Sequence, residues 1–125
     1  MAVNVAQLYK QSKMQTASNE EIITMLYDGA IKFCNVADSG LEAQNYELVN
    51  TNIKKAQLII SELIATLDTR YPVSADFERI YKYIMSLLVE ANVKKDKEKL
   101  AQAREEIRNI RTTWLEVVKN AKGGK

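Results

Sequence analysis

Residues Thr16–Phe33 read TASNEEIITMLYDGAIKF, and this stretch decides the fold. Ser18 followed by Glu21 matches a capping box, in which a serine hydroxyl and a glutamate carboxylate satisfy each other's orphan backbone donors. Glu20 and Glu21 put negative charge in the first turn, where the helix dipole favours it. The pattern predicts a helix from Asn19 to about Ser39–Gly40, with Gly40 as its stop. Its apolar residues fall on two sides. Ile22, Leu26, Gly29, Phe33 and Val36 form one stripe; Ile23, Tyr27, Ile31 and Cys34 form another. One side of such a helix builds the bundle, and the other is either covered by the N-terminal arm and neighbouring helices or offered to a partner. Gly29 sits inside it at a cost of about 1 kcal/mol relative to alanine. Close helix approach or room for a ligand backbone would account for it.

Moving outward, Leu41–Asn45 reads as a connection with Asn45 as the next N-cap. A second helix is predicted over Tyr46–Asp68, with Val49, Ile53, Ala56, Ile60, Leu63 and Leu67 as its seam. Leu58 points away from that seam. Pro72 pushes the residue before it out of helical geometry, so Arg70–Val73 is a second connection. Ser74 is expected to cap a third helix, Ala75–Val93. Phe77, Ile80, Tyr81, Ile84, Leu87, Leu88 and Ala91 face inward, and Met85, Val89 and Val93 lie off that face. Asp96 caps a fourth helix, Lys97–Ala121, whose seam is Leu100, Ala103, Ile107, Ile110, Trp114, Val117 and Ala121. Beside it run Arg104, Arg108, Arg111 and Leu115, the arginines read as a solvated ridge. Four helices joined by short links predict an all-α, antiparallel up-down four-helix bundle. It is read as a single domain over 1–125, with residues 1–15 as a short N-terminal arm and 122–125 as a disordered tail.

Composition narrows the chemistry. The 125 residues are 46% hydrophobic and carry a net charge of +2, which gives no strong pull toward nucleic acid or membrane. Charge is nevertheless uneven. Residues 18–40 hold one lysine against four acids, and residues 96–125 hold eight Lys and Arg against five acids. There is no histidine, which removes the commonest general base and metal ligand. The one cysteine allows neither an internal disulfide nor zinc-finger spacing, and Cys34 is expected to be a small core residue. No phosphate-binding glycine loop is present. The expectation is a non-enzyme with no cofactor and no metal. The start, MAVNVAQLYKQS, lacks a signal-peptide apolar region, and no apolar run approaches a membrane span, so a cytoplasmic protein is expected. Apolar side chains left over outside the seams point to grooves that receive an amphipathic segment of another protein.

Several motifs then stand in one order. Tyr9 precedes Thr16-Ala17-Ser18; Met25–Ile31 reads MLYDGAI; Asn52–Leu63 reads NIKKAQLIISEL. Leu67-Asp68, Ile80-Tyr81, Ala91-Asn92 with Asp96, and Ile110-Arg111 with Trp114 continue the series. Together these resemble the flagellin-specific export chaperone family, FliS, over Tyr9 to about Val118. The chain departs from the family pattern at Asn19, where proline is common, and in Arg70–Ser74, which lacks the frequent glycine.

The resemblance implies a bundle that binds the C-terminal segment of flagellin, prevents premature filament assembly and keeps the subunit fit for export. It also implies contact with the flagellar export gate, and the oligomeric state is expected to be a monomer or weak dimer. The rival reading is a regulatory or structural bundle that binds another helical partner or self-associates. The expected partner-binding residues, chosen by helical angle, are Tyr27, Ile31, Leu58, Met85, Val89 and Leu115. Tyr9 joins them by resemblance, as the residue that docks the arm over a groove.

Overall fold

A computed structural model describes residues 19–123. The expected arm with Tyr9, the Ser18 cap and the last two tail residues lie outside them. Four helices follow one another: α1 (Asn19–Glu42), α2 (Tyr46–Ala65), α3 (Val73–Lys94) and α4 (Lys97–Gly123). Each packs against its neighbours in sequence, and α4 closes back onto α1. Among the described residues the diagonal pairs do not approach at the backbone. This is the expected four-helix bundle.

Two of its three connections are built alike. Gln44 takes the left-handed conformation with φ of 56°. The Asn45 N–H then reaches back to the Gly40 carbonyl (2.8 Å) and the Gln44 N–H to Leu41 (3.1 Å), satisfying carbonyls left open at the end of α1. Asn45 turns directly into a cap, its Oδ1 accepting from the Leu48 N–H at 3.1 Å. At the other hairpin Lys95 is left-handed with φ of 51°. The Asp96 N–H donates to the Ala91 carbonyl (3.0 Å), and Asp96 Oδ1 accepts from the N–H groups of Glu98 and Lys99. A left-handed residue followed by an acceptor side chain thus reverses the chain twice, and both caps were legible in the sequence.

The helix ends differ from expectation in physically informative ways. Gly40 does not stop α1; it lies buried within it, two residues before its end. A β-carbon there would come within 2.9 Å of a Val49 methyl and 3.2 Å of the Asn45 carbonyl oxygen. The glycine is a place of close approach, and Gln44 performs the reversal. α2 ends at Ala65 rather than Asp68, because Thr66 closes it, its hydroxyl donating to the Leu63 carbonyl at 2.7 Å. Leu67 packs against the core from outside the helix. α3 starts at Val73, with Pro72 already helical at φ −58° and ψ −32°, as suits a proline at a helix entrance. Ser74 therefore does not cap; it is buried in the first turn. α4 continues through Gly123, past the expected Ala121.

The core combines the expected seams of α2, α3 and α4 with a broader arc of α1. Leu26, Tyr27, Ala30, Cys34 and Ala37 are fully buried. The two stripes read on α1 are the two edges of this arc, and the small residues Ala30 and Ala37 lie between them. Ile23, Ile31 and Phe33 flank it half-buried, and Lys55 of α2 lies over the Phe33 ring, 5.5 Å from its centre. Val117 and Ala121, expected in the α4 seam, are exposed. Each large aliphatic side chain fully buried here contributes about 1.5–3 kcal/mol.

Gly40→Ala should destabilise the fold by about 1–3 kcal/mol despite alanine's better helix propensity, because the Asn45 and Val49 backbone must give way. Gln44→Gly should stabilise it by about 0.5–1 kcal/mol by relieving the left-handed conformation. Asn45→Ala should cost about 1 kcal/mol through loss of the cap. Urea unfolding followed by circular dichroism measures all three.

Burial also holds two tyrosines neutral. Burial first, and then the neighbouring Tyr81, push the Tyr27 hydroxyl far above its ordinary value. Burial pushes Tyr81 up to about 12. An acid whose proton is held more tightly in the folded state than in the unfolded one stabilises the fold below the unfolded pKa. That contribution is lost as pH rises. Stability should be insensitive to these groups below about pH 10 and fall above it, by about 1.4 kcal/mol per pH unit for each tyrosine. Urea midpoints against pH, with the tyrosinate absorbance band, should show ionisation of this pair coinciding with unfolding.

Candidate functional site

The residues expected to bind a partner fall into three places. Tyr27 is in the core with no exposed surface, so it is not a surface anchor. Its helical angle is that of an outer stripe only if α1 buries a narrow face, and α1 buries a wide one. Ile31 is half-buried against the core on the α1 flank that meets α4. Leu115 lies along α4 on the same side and is 39% exposed. Leu58 of α2 and Met85 and Val89 of α3 belong to the other side of the bundle. Leu58 and Val89 are 38% and 42% exposed, and Met85 is half-buried. A hydrogen bond from Asn92 Nδ2 to Asn50 Oδ1 (2.8 Å) marks the antiparallel register of α2 and α3. From that bond Leu58 lies eight residues along α2 and Met85 seven residues back along α3, so the two come level at 1.5 Å per residue. Met85 and Val89 stand on the α3 flank beside α2, with Leu58 level with Met85 on the exposed face of α2. From the Arg111–Asp28 pair Ile31 and Leu115 run toward opposite ends of the bundle, so the structure does not bring them together.

The two sides differ in what closes them. Across α1 and α4 runs a ladder of polar links. Trp114 Nε1 donates to Thr24 Oγ1 at 3.2 Å, and Arg111 Nε to Asp28 Oδ1 at 2.7 Å. Arg104 Nη1 donates to Asn35 Oδ1 at 3.1 Å and lies 3.5 Å from Asp38 Oδ2. Lys97 pairs with Asp38 at 3.1 Å and with Glu42. Glu42 first, then Asp38, hold the Lys97 ammonium above its ordinary value. The arginine ridge is therefore not simply solvated. Arg104 and Arg111 clasp α1, while Arg108 pairs within its own helix with Glu105. Behind the ladder, burial pushes the Cys34 thiol up to about 12, against the opposing pull of Arg104 and Arg108. A thiol so held is not a nucleophile at neutral pH.

Across α2 and α3 the positions nearest the hairpins lack these charges, although those equivalent to Asp28 and Asn35 are Arg79 and Ser86. The shift that carries Gln44-Asn45 onto Lys95-Asp96 also carries Asp38 onto Val89, Glu42 onto Val93 and Tyr46 onto Lys97. Where the α1–α4 side has an acid, an acid and a lysine, the α2–α3 side has Val89, Val93 and Tyr46, the last two 78% and 50% exposed. The α2–α3 contact is also the least extensive of the four. Val93 and Tyr46 were not among the expected partner-binding residues; the repeat of the hairpin that singles them out is visible only once both reversals are located. Apolar side chains grouped along a shallow seam between two helices suit the apolar stripe of an amphipathic segment. Among the described residues no helix is long and apolar enough to cross a membrane.

The Arg111–Asp28 pair is part-exposed, so a double-mutant cycle with Arg111→Ala and Asp28→Ala should return a coupling of about 0.2–1 kcal/mol. Raising the salt concentration should reduce it.

Comparison with known proteins places this arrangement. The model of the family described as "Flagellar protein FliS" matches residues 1–121. A flagellar secretion chaperone FliS of Bacillus subtilis is 35% identical over 112 residues, covering 90% of this chain and 84% of that relative. Relatives of the same name in Escherichia coli and Campylobacter jejuni are each 26% identical over 114 residues. They cover 89% and 90% of this chain, and 84% and 89% of their own lengths. With four helices in the expected order and a match over nearly its whole length, the chain belongs to the FliS family of flagellar proteins.

Proposed function

We propose that this protein is a cytoplasmic flagellar export chaperone that holds the C-terminal segment of flagellin. In this reading it prevents premature polymerisation and keeps the subunit fit for type III secretion. Family membership supports the chaperone role, since relatives in three bacteria carry the name flagellar secretion chaperone. The observation that carries the site is the contrast between the two sides of the bundle. Charges close α1 against α4, whereas the α3 flank beside α2 carries half-buried Met85 and exposed Val89, with exposed Leu58 level with them on α2.

The chemistry needed is capture and release. A segment disordered in the free client spends part of its interaction energy on ordering when it binds, so it covers a large surface without becoming irreversibly held. Shallow apolar anchors on a preformed helical seam fit that requirement, and no nucleotide or metal enters the cycle. Tyr9 is assigned to arm docking, and the export gate to a second contact, on family resemblance.

Titration with the flagellin C-terminal segment of the same organism should give one-to-one binding. Leu58→Glu, Met85→Glu and Val89→Glu should each weaken it about tenfold or more, equivalent to about 1.4 kcal/mol, with native circular dichroism. Leu115→Glu on the α1–α4 side should weaken it less. A larger loss at Leu115 than at Leu58 would move the client to the opposite side. Self-assembly without flagellin binding would support the rival reading.

A further inference from the structure

One buried group has no part in capping, closing or client binding. Tyr27 of α1 and Tyr81 of α3 stand on diagonal helices whose backbones do not approach. Their side chains cross the middle of the bundle and their hydroxyls hydrogen-bond to each other. The rings are 6.4 Å apart, and Phe77 sets its edge against Tyr81 at 6.1 Å and 89°. Tyr27 has no exposed surface and Tyr81 has 2%. Among the described residues the other buried polar side chains are Asn52 and Ser74. Asn52 donates to the Leu48 carbonyl of its own helix and says nothing about how helices are placed.

Aliphatic contacts are non-directional, so a core of Leu, Ile, Val and Ala tolerates more than one setting of its helices. A hydroxyl pair does not. Moving α3 by one turn along its axis separates the two oxygens by about 5.4 Å and leaves both buried without the partner they have here. The penalty falls on the alternatives rather than on the observed packing.

We propose that the Tyr27–Tyr81 hydroxyl pair is a buried latch that selects one setting of α3 against α1. The position of α3 fixes both the α2–α3 seam and the α3–α4 contact, so the latch determines the surface that the bundle presents. The inference does not depend on what binds that surface.

The test uses the full chain and the variants Tyr27→Phe, Tyr81→Phe and the double variant, which keep ring volume. Each single variant should lower the urea midpoint, because the remaining hydroxyl is buried alone. The double variant should recover most of that shift, since both polar groups are gone. It should nevertheless show peak doubling or broadening in its amide NMR spectrum and bind a hydrophobic dye more than the parent does. Single variants with an unshifted midpoint would overturn the latch. So would a double variant whose loss equals the sum of the single losses, or one with a single sharp set of peaks. A measurement on the unaltered protein stands beside these. With labelled tyrosine rings, the hydroxyl protons of Tyr27 and Tyr81 should exchange slowly with solvent, and fast exchange would also overturn the proposal.

Discussion

The close approach of α1 and α2 at Gly40 is the constraint from which the rest of the bundle follows. With a Val49 methyl 2.9 Å and the Asn45 carbonyl oxygen 3.2 Å from where a β-carbon would be, glycine lets the first hairpin close without displacing its neighbours. Ala37 and Ala30 continue the line of small buried residues down α1. α2 therefore sits deep against α1, and this is the most extensive of the four helix contacts. A helix held so closely is buried over a wide arc, and its edges become available to both neighbours. Phe33 meets Lys55 of α2 on one edge, while Asp28, Asn35, Asp38 and Glu42 meet α4 on the other.

That placement sorts polar from apolar surface. The acid excess of residues 18–40 and the basic excess of residues 96–125 become two helices in contact. Among their charges Arg104 and Asp38 are part-buried, while Lys97, Glu42 and Asp28 remain largely exposed. The opposite seam keeps its valines and leucines without such a closure. The two hairpins reverse by the same device, yet one pair of seams is zipped by charges and the other is left apolar. A near-symmetric scaffold has become two-sided by substitution at a few equivalent positions.

Most of the fold was legible in residue spacing. The seams of α2 and α3 and the upper seam of α4 obey helical periodicity, and Asn45 and Asp96 announce their caps by residue type. The misreadings share a cause. Tyr27 looked like an outer residue because its angle was judged against a single stripe, and the breadth of the buried arc depends on how closely α2 approaches. Gly40 looked like a stop because glycine commonly ends helices, and nothing local distinguishes a stop from a contact. Ser74 looked like a cap because serine commonly starts helices, and Pro72 had already entered the helix. The arginine ridge looked solvated because Asn35 and Asp28, which accept from Arg104 and Arg111, lie 69 and 83 residues away in the chain.

The same division holds for the site. The sequence by itself determined that this is a four-helix bundle without histidine, with surplus apolar residues on its helices and the ordered motifs of the FliS family. Those properties are local or additive: periodicity, cap chemistry, composition and order along the chain. Which surplus residues stand together was decided by tertiary structure. Met85 and Val89 fall on the α3 flank beside α2, Leu58 on the outer face of α2, Ile31 and Leu115 on the α1–α4 side, and Tyr27 inside. The physical reason is that exposure depends on how far neighbouring helices approach and how they are rotated. The steric fit at Gly40 and the pairing of charges between α1 and α4 set both, and each joins residues that are distant in sequence.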